Sequence, residues 1–276
     1  MHVTARELRT ARRGGLILRF AQLGPVAFIV AEFPETGTAG TSLEQPCVEA
    51  HWSIVLTGSL DVVRPDGPPA RVDAGQALYV PAGEPAHTFR ADRRVSAAGF
   101  VPLPTGAIDD DAVREAGFEE VPTRAWQPAL PAARDVTVAT GSAIVPLQRG
   151  AIEADAALMG PWVYCQARFG GVSGYSSEWC DLPHWGMVLG GTMAIEWEDD
   201  VEIVGAGDAF YCPRGPAGHR FQVTDSATIF DFTPIDALAA VGRIAEWRPT
   251  VSLSPAQRAP SAPAARGIDA ATDMAS

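Results

Sequence analysis

Short apolar runs separated by Gly, Pro and Asp dominate the pattern of hydrophobic and polar positions along this chain. Runs such as SIVLTGSLDVV, QALYVPAG, TMAIEW, DAFYCPRG and ATIFDFTP alternate or are rich in Val, Ile and Phe, which is typical of β-strands. Turn residues recur roughly every ten residues, a spacing typical of sandwiches and barrels. The pattern therefore predicts an all-β protein.

Two parts of the chain repeat each other. Residues 47–58 read CVEAHWSIVLTG and residues 180–191 read CDLPHWGMVLGG, at an offset of 133. Further along the offset becomes 132, where PAGEPAH ends on His87 and PRGPAGH ends on His219. Self-similarity at a fixed offset is the signature of a duplicated structural unit. The sequence therefore predicts two copies of one β module.

The repeat divides the chain into two barrels and a connector. We expect an N-terminal barrel over residues 1–105 and a C-terminal barrel over residues 151–246. Residues 106–150 form the connector, in which AIDDDAVREAGFEEVPT has the acidic start and composition of a short helix and is followed by a Pro-rich stretch. Residues 247–276 are rich in Pro, Ala and Ser with little to bury, which predicts a mobile tail.

Composition narrows the classes of partner. Hydrophobic residues make up 47% of the chain, so it can bury a core, while the net charge of −12 argues against binding nucleic acid. From the lengths of the apolar runs we expect no segment that spans a bilayer, and from the first residues we expect no secretory signal. The four Cys lack the spacing of a disulfide framework, which favours the reducing cytoplasm.

Histidine and cysteine concentrate in the repeat. The chain has five His, and four of them stand at repeated positions. Together with two Cys they form two candidate sets of metal ligands, Cys47, His51 and His87 in the first copy and Cys180, His184 and His219 in the second. Three N or S ligands with an open fourth position are typical of a catalytic metal site. A thiolate with imidazoles favours Zn²⁺ or Fe²⁺, with Mn²⁺ and Ni²⁺ as alternatives.

These motifs resemble those of the cupin superfamily, and the tandem arrangement resembles a bicupin. The resemblance rests on a strand ending Val-Leu-x-Gly and on a later Tyr-x-Pro-x-Gly followed by His, over residues 40–100 and 165–235. It implies two tandem jelly-roll-like β-barrels that bind metal ions and act on small molecules.

The first motif departs from the usual cupin pattern. His51 and His184 stand at the family's usual Glu position, and Cys stands at a usual His position. The remaining ligand position holds Gln45 in the first copy and Glu178 in the second. The order Glu-x-Cys-x-x-x-His is similar to the C-terminal site of ureidoglycine aminohydrolase bicupins, where a Glu-x-His-x-x-x-His run binds manganese.

Glu178 distinguishes the two copies. A carboxylate can act as a general base or as a ligand, whereas the amide of Gln45 cannot act as a base. Residues 178, 180 and 184 have the same parity, so on one strand they would point to one face, and His219 would reach them from a second strand. If Glu178 replaces Cys180 as a ligand, two His and one carboxylate suit Fe²⁺ or Mn²⁺. We therefore expect the active site in the second barrel, with Glu178 as its catalytic residue.

Other residues are weaker candidates. Tyr164 and Arg168 have the same parity on a predicted strand and are expected to reach the cavity, where Arg168 would bind a substrate carboxylate. Asp231 is a candidate hydrogen-bond partner of a ligand His. Trp52 and Trp185 have the opposite parity to the ligands, so we expect them in a barrel–barrel or dimer interface.

The sequence therefore predicts a metal-dependent enzyme that acts on a small polar organic molecule by hydrolytic, isomerising or lyase-type chemistry. An Fe²⁺-dependent dioxygenase is the alternative enzyme class. A non-catalytic protein that binds or senses a small molecule or a metal is the third alternative. Beyond the small-molecule substrate, the expected partners are neither nucleic acid nor membrane, and a homodimer is compatible with the sequence.

Overall fold

A computed structural model describes residues 1–34, 46–83, 85–91, 93–103, 107–123, 145–149, 152–170, 175–215 and 218–240. Gln45, the Pro-rich part of the connector and the predicted tail at 247–276 lie outside the described residues. Within them the chain forms antiparallel sheets, which confirms the all-β prediction. Among the described helices, none is long and apolar enough to cross a bilayer.

The described residues of the first half form eleven strands and one helix. In chain order these are β1 (His2–Val3), β2 (Arg9–Arg13), β3 (Leu16–Leu23), β4 (Val26–Phe33), β5 (His51–Thr57), β6 (Ser59–Val63), β7 (Ala70–Asp73), β8 (Ala77–Val80), β9 (Thr88–Ala91), β10 (Val95–Pro102), α1 (Asp110–Glu115) and β11 (Glu119–Val121). A seven-stranded sheet in the order β11-β2-β3-β4-β10-β5-β8 and a three-stranded sheet in the order β7-β6-β9 form the first barrel. The helix α1 lies where the acidic start of the connector predicts it.

The second half repeats this plan. Its elements are β12 (Val145–Arg149), β13 (Ile152–Met159), β14 (Trp162–Phe169), β15 (Tyr175–Ser176), β16 (His184–Glu196), β17 (Val201–Gly205), β18 (Ala209–Cys212), β19 (Arg220–Val223), β20 (Ala227–Pro234) and α2 (Ile235–Ala240). The long strand β16 corresponds to β5 and β6 together. Its first part pairs with β18 and β20, and its second part pairs with β17 and β19.

Sheet pairing moves the predicted domain boundaries. Strand β1 pairs with β18 of the second barrel, where His2 lies opposite Phe210, so the N-terminus belongs to the other barrel's sheet. The connector contributes β11 to the first barrel through β2, and the second barrel begins at Val145 rather than at residue 151. The sequence pattern missed the pairings of β1 and β11 because hydrogen bonding between distant segments leaves no local trace in such short strands.

A shared aromatic core joins the two barrels. The ring of Trp162 lies 4.8 Å from that of Trp185 and 5.6 Å from that of Trp52, between ring centroids. Trp52 also donates a hydrogen bond from Nε1 to the carbonyl of Met159 in the other barrel, at 3.0 Å. Because all three indoles face away from their own barrel interiors, the outward direction predicted for Trp52 and Trp185 is confirmed.

Candidate metal centres

The second barrel brings Cys180, His184 and His219 together. Cys180 and His219 exchange both backbone hydrogen bonds, at 2.7 and 2.8 Å, in an isolated β-bridge. His184 is the first residue of β16, and its Nε2 lies 3.3 Å from the Cys180 Sγ. One ligand atom from each of the three residues lies within 4.8 Å of the other two. The predicted second ligand set therefore converges.

The spacing of these atoms fits a metal ion. Tetrahedral zinc bonded to sulfur and nitrogen at its usual lengths separates S from N by about 3.6 Å and N from N by about 3.3 Å. The observed Sγ–Nε2 distance of 3.3 Å is close to the first value. The other two pairs of ligand atoms lie within 4.8 Å, so His219 would move closer to the other two ligands around an ion.

The ring of His219 is fully buried, and neither of its nitrogens has a hydrogen-bond partner among the described residues. Burial and the neighbouring His184 lower the pKa of His219 to about 3, so the ring is neutral at pH 7 and offers a lone pair. Two unpaired polar atoms in the interior are costly unless another group binds them.

His184 is held in place through its other nitrogen. Its Nδ1 lies 2.9 Å from the Thr233 Oγ1 and 3.4 Å from a carboxylate oxygen of Asp231. Burial alone would lower the pKa of His184, but hydrogen bonds to Asp231 and Cys180 raise it to about 10. Metal-binding His residues usually make such a contact through the nitrogen that does not bind the ion, which fixes the ring orientation. This contact directs Nε2 of His184 towards Cys180.

The first barrel contains the same cluster. Cys47 and His87 form the equivalent β-bridge, and the Cys47 Sγ lies 3.2 Å from the His51 Nε2. His87 is fully buried, again with no described partner on either ring nitrogen. Burial together with His87 lowers the pKa of His51 to about 4, and burial raises the pKa of the Cys47 thiol. The described residues thus include two groups able to hold a metal ion, one in each barrel.

The surroundings of the two clusters differ. In the register of the sheets, Gly99 and Val101 of the first barrel occupy the positions of Asp231 and Thr233 in the second. Neither can bind the outer nitrogen of His51 through a side chain. In addition, Arg64 lies close enough to His87 to lower its pKa, a smaller effect than burial. A positive charge at this place disfavours a cation, and the N-terminal ammonium group has a similar small effect on the pKa of His219. The clear difference between the two clusters is therefore the pair Asp231 and Thr233 beside His184.

The structure does not bring Glu178 into the cluster. Its side chain is exposed, and its carboxylate is not among the ligand atoms that converge on Cys180. The parity argument fails because residues 177–180 are not a regular strand. The backbone of Ser177 donates a hydrogen bond to Phe221, and that of Cys180 donates one to His219. Residues 178 and 179 on one segment therefore lie opposite the single residue Arg220 on the other. This extra residue is a bulge, which breaks the alternation of faces. The catalytic role of Glu178 stays a prediction.

Tyr164 and Arg168 lie on the other face of β14. Tyr164 is fully buried in the core between the barrels, and its hydroxyl bonds the side chain of Gln166 at 3.1 Å. Arg168 forms an ion pair with Asp155 at 3.2 Å. Cys165, on the opposite face, packs against the interior of the second barrel. Neither predicted substrate-binding residue therefore reaches the cluster, because the even positions of this strand face the first barrel.

Sequence reasoning identified Asp231 as a partner of a ligand His but missed Thr233. A signal was present in the repeat, because GFVP at residues 99–102 aligns with DFTP at residues 231–234. The two polar residues stand where the first copy has Gly and Val. Cys212, opposite His184 in the sheet, is completely buried, as expected of a core thiol. All four cysteines are described and none forms a disulfide.

The chain is similar in structure to proteins of the cupin fold. AerE from Microcystis aeruginosa superposes with a TM-score of 0.54 at 13% identity, over 83% of this chain and 98% of that one. Oxalate decarboxylase from Bacillus subtilis superposes with a TM-score of 0.58 at 12% identity, over 85% of this chain and 77% of that one. The structure of the same oxalate decarboxylase at pH 4.6 gives a TM-score of 0.58 at 11% identity, over 85% of this chain and 76% of that one.

The sequence has no match among protein-family models or among curated proteins. At these low identities the structural likeness shows the fold alone. The chain has the cupin fold, and oxalate decarboxylase, like this chain, carries it twice. The finer resemblance to ureidoglycine aminohydrolases is not shown and stays a prediction.

Proposed function

We propose that this two-barrel protein of the cupin fold is a metal-dependent enzyme, and that its catalytic centre lies in the second barrel at Cys180, His184 and His219. The observation that carries this proposal is His219, which is fully buried beside a thiol and a second imidazole and finds no partner for either ring nitrogen in the part of the chain that the structure describes. A structural His in a core finds a hydrogen-bond partner. A bound ion gives this His the partner it otherwise lacks.

The residues around the cluster favour the second barrel. Thr233 and Asp231 hold the ring of His184 with Nε2 directed at Cys180, and Asp231 also offsets the charge of a cation. The first barrel lacks both groups. Phe221 and Trp197 cover His219, with ring centroids 5.3 and 5.5 Å away, and keep water off this side of the cluster.

The donor set decides which ion fits. One thiolate and two imidazoles favour Zn²⁺ or Fe²⁺ over Mg²⁺ and Ca²⁺, with Mn²⁺ and Ni²⁺ as alternatives. The oxalate decarboxylase neighbour is described as having Mn(II) centres, which keeps manganese among the candidates. A bound ion would supply a Lewis acid that polarises a carbonyl or activates water. Glu178, exposed in the bulge and outside the ligand cluster, is the general base that we propose for a small polar substrate.

The identity of the bound metal ion distinguishes the candidate reaction classes. Stoichiometric zinc would favour hydrolytic, isomerising or lyase-type chemistry and would exclude the Fe²⁺-dependent dioxygenase. Protein purified without added metal should contain about one equivalent of a transition metal, measured by mass spectrometry of the elements. His219→Gln should remove it, whereas the matched His87→Gln in the first barrel should retain most of it. Equal loss from both variants, or no loss from His219→Gln, would contradict the choice of barrel.

Activity has its own test. The metal-loaded protein is incubated with a panel of small carboxylic acids, amides and sugars, and conversion is followed by mass spectrometry. Conversion that stops on chelation and in Cys180→Ser, and returns when metal is added back to the unmutated protein, supports an enzyme. A panel left unchanged by the metal-loaded protein would favour the non-catalytic binding or sensing function.

A second candidate function follows from the same geometry. Cys180 next to the His184 Nε2, with Asp231 at the Nδ1, is also the order of a nucleophilic thiol, its base and an orienting carboxylate. Iodoacetamide separates the two functions. If Cys180 is a metal ligand, zinc protects it from alkylation. If it is a free nucleophile, it is alkylated at the same rate with and without zinc.

A further inference from the structure

We propose that the first barrel is a binding site for an uncharged, largely apolar small molecule of about ten non-hydrogen atoms or fewer. A partly open cavity of about 210 Å³ lies inside this barrel and ends at Cys47 and His51. A cavity of about 150 Å³ lined by aliphatic and aromatic residues is enough to bind benzene, whereas pockets for drug-sized ligands exceed about 300 Å³. The volume therefore suits a single ring or a short branched chain.

The lining is apolar over most of its surface. Its walls include Leu16, Leu18, Ile29, Phe33, Leu60 and Phe89. Besides the Cys47–His51 end, the polar group in reach is the hydroxyl of Ser53. Arg13 also borders the cavity, but its guanidinium donates to the carbonyl of Ala116 at 2.8 Å and lies over the ring of Phe118. A ligand with an apolar body and one hydroxyl or carbonyl matches this lining, and a charged one does not.

The duplication shows that the cavity is specific to the first barrel's residues. Leu78 and Ala97 line it, and the register of the sheets places Phe210 and Ile229 at the equivalent positions of the second barrel. The ring of Phe210 fills the second interior, where it lies against β16 at Gly186, too close for any Cβ at that position. Smaller side chains at both positions leave space in the first barrel.

The same comparison explains the polarity of the cavity. Ile29, Gly99 and Val101 all line it, whereas Cys165, Asp231 and Thr233 hold these positions in the second barrel. At Gly99 the Ser53 side chain lies too close for any Cβ, so a hydroxyl takes the place next to this position where the second barrel has a carboxylate. One barrel has thus become polar around its His, and the other has become apolar and hollow. This division fits separate tasks for the two barrels, chemistry in the second and ligand binding in the first.

The proposal is tested with a series of one-ring probes on the full chain after metal removal with a chelator. Binding of toluene, phenol, benzyl alcohol and benzoate is measured by calorimetry and by saturation-transfer NMR. We expect phenol or benzyl alcohol to bind one molecule per chain with a Kd of about 1 mM or tighter, and benzoate to bind at least about tenfold more weakly. Failure of all three neutral probes to bind, or equal binding of benzoate, would overturn the proposal.

Two variants locate the site. Ala97→Ile introduces the side chain of the second barrel and should reduce the binding of every neutral probe at least about tenfold, because it fills part of the cavity. Ser53→Ala keeps the volume and should weaken phenol but not toluene. Circular dichroism and the midpoint of chemical unfolding confirm that each variant is folded. Unchanged binding by Ala97→Ile would place the probes elsewhere and refute the assignment, whatever the result with Ser53→Ala.

Discussion

Thr233→Val tests whether the residues behind His184 support metal binding. The change keeps the shape of the side chain but removes the hydroxyl that contacts the His184 Nδ1 at 2.9 Å. Valine is also the residue that the first barrel has at the equivalent position, Val101. The variant therefore converts one feature of the second cluster into that of the first without touching a ligand.

The expected loss can be derived from the contacts. Removing a group that orients a metal ligand weakens metal binding by about 10- to 100-fold, or about 1.4 to 2.8 kcal/mol. Asp231 remains 3.4 Å from the Nδ1 in the Thr233→Val variant and can hold the ring in part. We therefore expect about a tenfold loss for Thr233→Val alone. Adding Asp231→Asn, which also removes a negative charge, should extend the loss to about 100-fold.

The assay is competition for Zn²⁺ against a chromogenic chelator, in a His87→Gln background that weakens the first cluster. Thr228→Val is the matched control, since it makes the same chemical change on β20 at a position of the opposite parity. The control should bind zinc like its parent. Equal affinities for the parent and Thr233→Val, or equal losses for Thr233→Val and Thr228→Val, would refute the orienting role of this hydroxyl.

Three further predictions concern stability and pH. Gly191→Ala should destabilise the protein by about 2 kcal/mol or more in chemical unfolding. Gly191 has a φ of 73°, and a Cβ there would collide with a backbone carbonyl. The control Gly190→Ala places its Cβ in open space and should have little effect. In metal-free protein Trp52→Phe should cost about 1 kcal/mol more than Trp185→Phe, since only the indole of Trp52 loses a hydrogen bond; equal costs would contradict this. Burial alone would raise the pKa of Glu202, but hydrogen bonds from the first two residues lower it. Its stabilising contribution is therefore present above the ordinary pKa near 4.5 and is lost as the pH falls through the lowered value. The protection of the β1 amides, measured against their intrinsic exchange rates, should therefore fall in acid, and Glu202→Gln should remove that dependence.

Much of the fold could be predicted because the duplication presents the same pattern of strands and turns twice. Each strand around the ligands occurs twice with the same Gly and Pro turns, so two barrels and their ligand strands follow from the repeat. The ligand sets also follow, since a histidine-poor chain concentrates His at repeated positions. Trp52 and Trp185 face away from the ligand histidines, as the regular alternation of side chains along β5 and β16 predicts.

The failures come where regular alternation or local pattern ends. Glu178 stands two residues before Cys180, but the bulge at residues 177–180 shifts its side chain away from the cluster. Strand β1 pairs with residues some 200 positions away, and a strand of two residues is too short to have a recognisable sequence pattern. Tyr164 and Arg168 have the parity of the outer face, and the sequence does not show which face of β14 is the inner one.

The choice of the second barrel therefore rests on different residues from those that first suggested it. The contrast between Glu178 and Gln45 does not support the choice in the structure, because Gln45 lies outside the described residues and Glu178 does not join the cluster. Asp231 and Thr233, against Gly99 and Val101, now carry the choice, since they act directly on a ligand His. The aligned segments GFVP and DFTP contained this difference from the start.

The central claim is that the second cluster binds a metal ion. Anomalous diffraction from crystals of the metal-loaded protein, recorded above and below the absorption edge of the ion, tests it most directly. We predict a single strong anomalous peak bonded to the Cys180 Sγ, the His184 Nε2 and one ring nitrogen of His219, with a weaker peak or none at Cys47. A strong peak only in the first barrel, or no peak at His219 in metal-loaded protein, would contradict the account.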